Sequence, residues 1–257
     1  MRLFALSLGF VLTLAACGQP EEPPPIAEAP AARPEPWFIC DGIDAPNVIV
    51  FERAEGSDDT RVAMYGKPNG EILERHGLTI GAEEGAAGSV VIPLMVELDD
   101  AGHVTRTNPG VLDNPASVYT PRFTSAQLFN RNTVCRWLPR TRVMGFTGRR
   151  SFVIHEDADG DLIYTAYNFT DAAGARQIEL SDNGRSTTFS AEVRGGAETV
   201  APSGADFRFE NEGYTYSIVL EHGVGRIDVW QGGELVQTEP LIAFVTGDAS
   251  AAAEPAE

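Results

Sequence analysis

The spacing of turn residues constrains the fold of this chain more than any other feature. Between Trp37 and Thr246, short runs alternate apolar with polar side chains, and glycine, asparagine or aspartate recurs about every 8 to 12 positions, the pattern of a chain built from strands. In "YTYSIVL", Tyr214, Tyr216, Ile218 and Leu220 fall on one face and Thr215 and Ser217 on the other, so one side of that strand faces a core. Hairpin signals are frequent: Asn183-Gly184, Asp159-Gly160, Ala101-Gly102 and Gly232-Gly233 suit the positive dihedrals of tight turns. The run Ser89 to Leu98 is nearly all apolar and reads as a buried strand, with Pro93 implying a bulge or an edge. Helix is scarce. The best short candidate is "TSAQLFNRN", where Thr124 or Ser125 could cap. The fold class expected is all-β: two consecutive small antiparallel β-sandwich or barrel-like halves with little helix.

The ends of the chain have a different character. After Arg2 comes the apolar run "LFALSLGFVLTLAA", too short to span a bilayer but suited to an export signal. It ends in Leu14-Ala15-Ala16-Cys17, which resembles the lipobox of bacterial lipoproteins. The resemblance implies that 1–16 is a signal peptide removed on export and that Cys17 becomes an acylated N-terminus, carrying fatty acyl groups such as palmitate. More than one acyl chain gives stable anchoring where one is marginal. Gly18 follows the cysteine, and the absence of Asp there implies an outer-membrane, periplasm-facing location under the enterobacterial sorting pattern. Residues 17–36 then form a lipidated tether with seven prolines. It has too little apolar surface to offset the entropy of ordering, and at about 3.1 Å per residue it reaches up to ~60 Å. The expected organisation continues as 37–147, a first β domain; 148–246, a second; and 247–257, an acidic tail. A faint internal echo sets "IVFERAEG" (Ile49 to Gly56) against "VIHEDADG" (Val153 to Gly160) at an offset of 104. It reads as a duplicated unit, in which Glu239 would stand where Cys135 stands, or as the recurrence of similar hairpins.

Charge narrows the partners. Without 1–16 the chain loses Arg2 and no acid, leaving 18 basic against 37 acidic residues and a net charge of −19. That opposes nucleic-acid binding and adsorption to anionic lipid by charge, and it attracts cationic proteins or metal ions. Lys67 is the sole lysine. Cys40 and Cys135 remain within the folded region, and in an oxidising compartment they are expected to pair, closing a loop whose entropy is worth on the order of 4 kcal/mol. No Cys-x-x-Cys redox or zinc spacing is present.

Chemistry-bearing motifs are few. The cluster His155, Glu156, Asp157, Asp159 and Asp161 has the hard oxygens calcium prefers, but its glycine comes one place early for an EF-hand loop, and a polar hairpin turn explains it with fewer assumptions. There is no G-x-S-x-G, Ser-x-x-Lys, H-E-x-x-H or P-loop, and the four histidines are scattered. The sequence therefore implies no cofactor and no catalytic set, and it favours a binding or structural role over an enzyme, with an envelope hydrolase as a further alternative. A basic island stands out instead. No acid occurs for 42 residues between Asp113 and Glu156, a window that holds Arg122, Arg131, Arg136, Arg140, Arg142, Arg149 and Arg150 with Phe123, Phe129, Trp137, Phe146 and Phe152 nearby. Either these arginines pair with carboxylates elsewhere and dock one half on the other, or Arg131, Arg136, Arg140, Arg142, Arg149 and Arg150 present a face to an anion or partner. In an envelope the ligands of such a face are lipopolysaccharide phosphates, cell-wall carboxylates or an acidic envelope protein.

The opening "WFICDG", with its cysteine and a second one about a hundred residues on, resembles the start of membrane-anchored lysozyme inhibitors. That resemblance implies a β-barrel lipoprotein whose disulfide ties its ends and which inserts a loop bearing serine and lysine into cationic lysozyme. The setting of Lys67 in "YGKPNG" does not reproduce that loop, and no functional residue carries over.

Overall fold

Alternation along the chain yields strands that pair almost entirely with their sequence neighbours. The computed structural model describes residues 36–248 apart from 44, 54–55, 68, 109–113, 170–178, 181–185 and 188–189. The signal segment 1–16, Cys17, the tether as far as residue 35, residues 249–257 and the Asn183-Gly184 turn lie outside the described residues.

The first sheet has nine strands: β1 (Phe38–Asp41), β2 (Asn47–Arg53), β3 (Asp59–Gly66), β4 (Ile72–Ile80), β5 (Glu84–Ala86), β6 (Ser89–Val96), β7 (Asp99–Thr107), β8 (Phe123–Leu128) and β9 (Arg131–Val134). Their order is β1-β2-β3-β4-β6-β7-β8-β9 with β5 beside β6, and every pairing is antiparallel. The sheet curls until Gly42 bridges Cys135 and the Arg136 amide donates to the Asp41 carbonyl at 2.8 Å. A disulfide joins Cys40 to Cys135 at that meeting point. The cysteines expected to pair therefore do so, and the bond ties the two ends of the first sheet.

The second sheet also has nine strands: β10 (Thr141–Phe146), β11 (Arg150–Glu156), β12 (Leu162–Asn168), β15 (Ser190–Ala201), β16 (Gly204–Asn211), β17 (Tyr214–Glu221), β18 (Val224–Gln231), β19 (Glu234–Pro240) and β20 (Ala243–Thr246). They run in the order β19-β18-β17-β16-β15-β12-β11-β10-β20, and β13 (Glu179–Leu180) pairs only with β14 (Ser186–Thr187). Because β10 hydrogen-bonds to β11 and β20, the second sheet begins at Thr141. The only helical segment among the described residues is a 3-10 turn, Pro115–Ser117. The architecture is all-β with two antiparallel sheets, as the alternation implies.

Three cores follow from period-two geometry. Phe38, Ile49, Phe51, Val62 and Met64 point into the first sheet's own core. Their neighbours Ile39, Val48, Val50, Ala63 and Tyr65 point the other way, onto Met144, Phe146, Val153 and Val245 of the second sheet. Phe152, Ile154, Tyr164, Phe207 and Ile218 fill the second core. Strands β1 to β3 are apolar on both faces because both faces are covered.

Three expectations are corrected. "TSAQLFNRN" is not a helix: β8 and β9 run through it, and the Thr124 hydroxyl donates to the Thr105 carbonyl of β7 instead of capping, so pairing with β7 outweighs the local cap signal. The turn near Ala101-Gly102 lies at Glu97-Leu98, between the paired residues Val96 and Asp99. Gly102 sits inside β7 at φ 128°, where a Cβ would come within 2.1 Å of the Gln127 carbonyl oxygen. The run from Ser89 is a strand only to Val96, with its register shift beside Pro93, and Leu98 is exposed at the turn tip. The 104-residue echo, open between duplication and recurrence of similar hairpins, sets Ile49, which faces the first core, against Val153, which lies between the sheets. Both hairpins exist, but the echoed positions face opposite ways. At Gly232-Gly233 the expected hairpin is present, with φ of 59° and 86° between the paired Gln231 and Glu234.

Candidate functional site

The basic island maps to the region where the two sheets meet, and most of its guanidinium groups are engaged. Arg136 follows Cys135 as Asp41 follows Cys40, so the disulfide sets the two side by side. Arg136 Nε donates to Asp41 Oδ2 at 2.8 Å, and its guanidinium lies 3.4 Å from the centre of the Tyr167 ring on β12. Lys67 Nζ stands 2.9 Å from Asp41 Oδ1, and the Ser151 hydroxyl of β11 donates to Oδ2 at 2.7 Å. Asp41 is fully buried. Burial, the largest influence on its carboxyl, opposes ionisation, but Lys67 and Arg136 together with the hydrogen bonds outweigh it and hold the group below the usual carboxylate range. The sole lysine is thus turned inward onto Asp41 and the Gly42 carbonyl.

Arg142 on β10 is held by two carboxylates. Its Nη1 donates to Glu156 at 2.7 Å, and its Nη2 donates to both oxygens of Glu198 at 3.0 and 2.8 Å. Tyr119 closes the group by donating to Glu156 at 2.8 Å. Arg150 pairs with Glu239 of β19 at 2.9 Å, and the Thr147 hydroxyl donates to the other oxygen at 2.7 Å. Arg150 and Glu239 are both buried. Arg140 donates to the Asp157 carbonyl, and Arg131, half exposed, reaches Glu74 at 2.5 Å. Arg122 lies over the Trp137 ring at 5.0 Å. Arg149 has no ion-pair partner among the described residues.

The aromatics interleaved with the island separate. Phe146 and Phe152 are core residues. Phe123 and Trp137 line a cavity of about 60 Å³ with Trp37, Pro121, Met144 and Arg136, and the Trp137 indole donates to the Thr120 carbonyl at 3.2 Å. Phe129 alone is exposed. The six arginines therefore do not converge on one open face. Arg136, Arg142 and Arg150 are each closed on a carboxylate more than ten residues away in sequence, but each carboxylate lies in the arginine's own half, so these ion pairs brace each half internally, and it is the contact of Arg136 with the Tyr167 ring that reaches across.

The acidic cluster after β11 disperses. His155 and Glu156 point to opposite sides of the strand, and burial lowers the His155 pKa. Asp157 Oδ1 accepts the amides of Asp159 and Asp161, both at 3.0 Å, closing the hairpin, and its Oδ2 faces Arg194 at 3.6 Å. These turn amides lead the influences that hold Asp157 below its ordinary value. Among the described residues, no three His, Cys, Asp or Glu side chains are grouped as a metal ion would need. A cleft of about 490 Å³ is lined by Glu52, Asp59, Arg61, Leu78 and Thr79 of β2 to β4.

Sequence reasoning did not single out Asp41, Glu198 or Glu239 as partners of the arginines. One signal was available for Asp41, since opposite charges immediately following two paired cysteines are brought together by the bond. The residues opposite Arg142 and Arg150 are set by strand order, which no local motif encodes. No family model, curated protein or solved structure matches the chain.

Proposed function

We propose that the protein is a lipid-anchored envelope protein, facing the periplasm from the outer membrane, whose folded part binds a partner instead of catalysing a reaction. The observation that carries the reading is the allocation of the three cysteines. Cys40 and Cys135 are used on each other, a bond that persists in an oxidising compartment, and this leaves Cys17, at the end of the apolar segment, as the one thiol for acylation. The tether that follows supplies the reach from bilayer to domain. The displaced carboxyls support a scaffold role, because Asp41 is held by ion pairs and Asp157 by turn amides, neither being poised to exchange protons near neutral pH.

Replacing Cys17 with serine tests the anchor. The Cys17→Ser protein is expected to leave the membrane fraction and to lose incorporation of a clickable fatty acid. Equal labelling and membrane retention in the variant would overturn the reading.

A further inference from the structure

Successive strands of the first sheet alternate in direction, so the β6–β7 turn and the β8–β9 turn fall on the same side of it. Both tips are unusual. Leu98 is 94% exposed and Phe129 46%. Each belongs to a two-residue turn, between the paired Val96 and Asp99 and the paired Leu128 and Arg131. In each turn the first residue is left-handed, Glu97 at φ 56° and Phe129 at φ 53°, where glycine, asparagine or aspartate costs least. A bulky aromatic there is an outlier. Glu212 and His222 open two-residue hairpins in the same left-handed conformation, each followed by glycine, and Gly232-Gly233 forms another, so it is the apolar side chains that set these two tips apart.

The two tips are neighbours. Gly102 pairs with Leu128, and the Phe129 amide donates to the Ala101 carbonyl at 2.6 Å. The His76 ring supports Phe129 edge-on, 4.8 Å between centres. Around the apolar tips stand the exposed acids Glu97, Asp99 and Asp100, while Arg131, at the foot of the β8–β9 turn, pairs with Glu74. Backbone strain and exposed apolar surface kept together mark a working surface.

We propose that Leu98 and Phe129, rimmed by Glu97, Asp99 and Asp100, form the contact face for a basic protein with an apolar recess. This rests on the binding reading above and names the kind of partner. Charge decides between occupants: an anionic bilayer is repelled by the rim. A second copy would set the acidic rim against itself, whereas a basic protein is attracted both by the rim and by the net charge of −19 left after removal of 1–16.

The test uses the full-length anchored protein with a photo-crosslinking residue at Leu98 or, as control, at Val200, which is 73% exposed on the second sheet. The Leu98 probe is expected to capture a protein of basic sequence. Its yield should fall about tenfold or more in a Glu97→Lys, Asp99→Lys background, as like-charge juxtaposition requires. The pair Phe129→Asn with Asn130→Gly should hold or raise the melting temperature, because it relieves the turn, and should still lose the capture. Lipid, a second copy or an acidic protein at Leu98, or a yield indifferent to charge reversal, would overturn the proposal. Basic-partner capture at Val200 alone would overturn the assignment of the face and leave the binding reading standing. No capture at either position would remove both.

Discussion

Asp41 is one side chain on which three others depend. Its carboxylate neutralises Lys67 and Arg136, each only 13% exposed, and accepts the Ser151 hydroxyl. Removing the charge leaves two buried cations facing each other, and breaking a buried pair in this way costs about 3–5 kcal/mol. Asp41→Asn should therefore lower stability to denaturant by an amount of that order. The pH dependence has a definite sign. The folded-state pKa is lowered, so the stabilisation is complete above the unfolded value of about 3.9 and is lost as pH falls through the lower folded value. Wild-type protein is expected to lose stability below about pH 4 more steeply than Asp41→Asn, which urea titrations at neutral and acid pH would read. Equal acid sensitivity would show that Asp41 is not the group responsible. At this scale the cysteine pairing was legible from composition and compartment. The role of Lys67 was not, since a lone lysine carries no local sign of what it faces.

Strand pairing supplies the next level. Arg150 on β11 and Glu239 on β19 are far apart in sequence, and their ion pair is buried with the Thr147 hydroxyl. Arg150→Met or Glu239→Leu alone should each destabilise by about 3–5 kcal/mol, and the double variant by much less than the sum, because a well-packed apolar pair replaces a buried ionic one at little net cost. Additive losses in a double-mutant cycle would contradict that coupling. Element type was well marked in the sequence, since apolar alternation survives in nearly every strand. Turn position was less legible. Ala101-Gly102 carries the residues of a turn, yet pairing of β6 with β7 places the turn at Glu97-Leu98, and the glycine serves a close approach to Gln127 instead. The cap residues before "AQLFNRN" were likewise overridden by an available edge of β7.

The molecule as a whole is two antiparallel sheets, the first curled until its ends meet, joined along an apolar seam. Arg136 and Ser151 bring both sheets to Asp41, and Tyr65 meets Phe146 across the seam with ring centres 5.2 Å apart. The basic island so conspicuous in the sequence is largely spent on carboxylates within each half, Arg136 on Asp41 in the first and Arg142 and Arg150 on Glu156, Glu198 and Glu239 in the second. Charge reversal at Arg142 consequently places a carboxylate between Glu156 and Glu198, a structural lesion instead of a clean probe of binding. What remains for recognition lies at the two strained hairpin tips, which sequence reading left inside a presumed strand and a presumed helix.

The most direct measurement is the intact mass of the protein extracted from membranes under non-reducing conditions. The expected species begins at Cys17, carries the mass of more than one fatty acyl chain, and is two hydrogens lighter than the fully reduced chain through the Cys40–Cys135 bond. A chain that retains residues 1–16, bears no lipid, or holds Cys40 and Cys135 as free thiols would contradict the account of a disulfide-closed domain held at the membrane by its N-terminal cysteine.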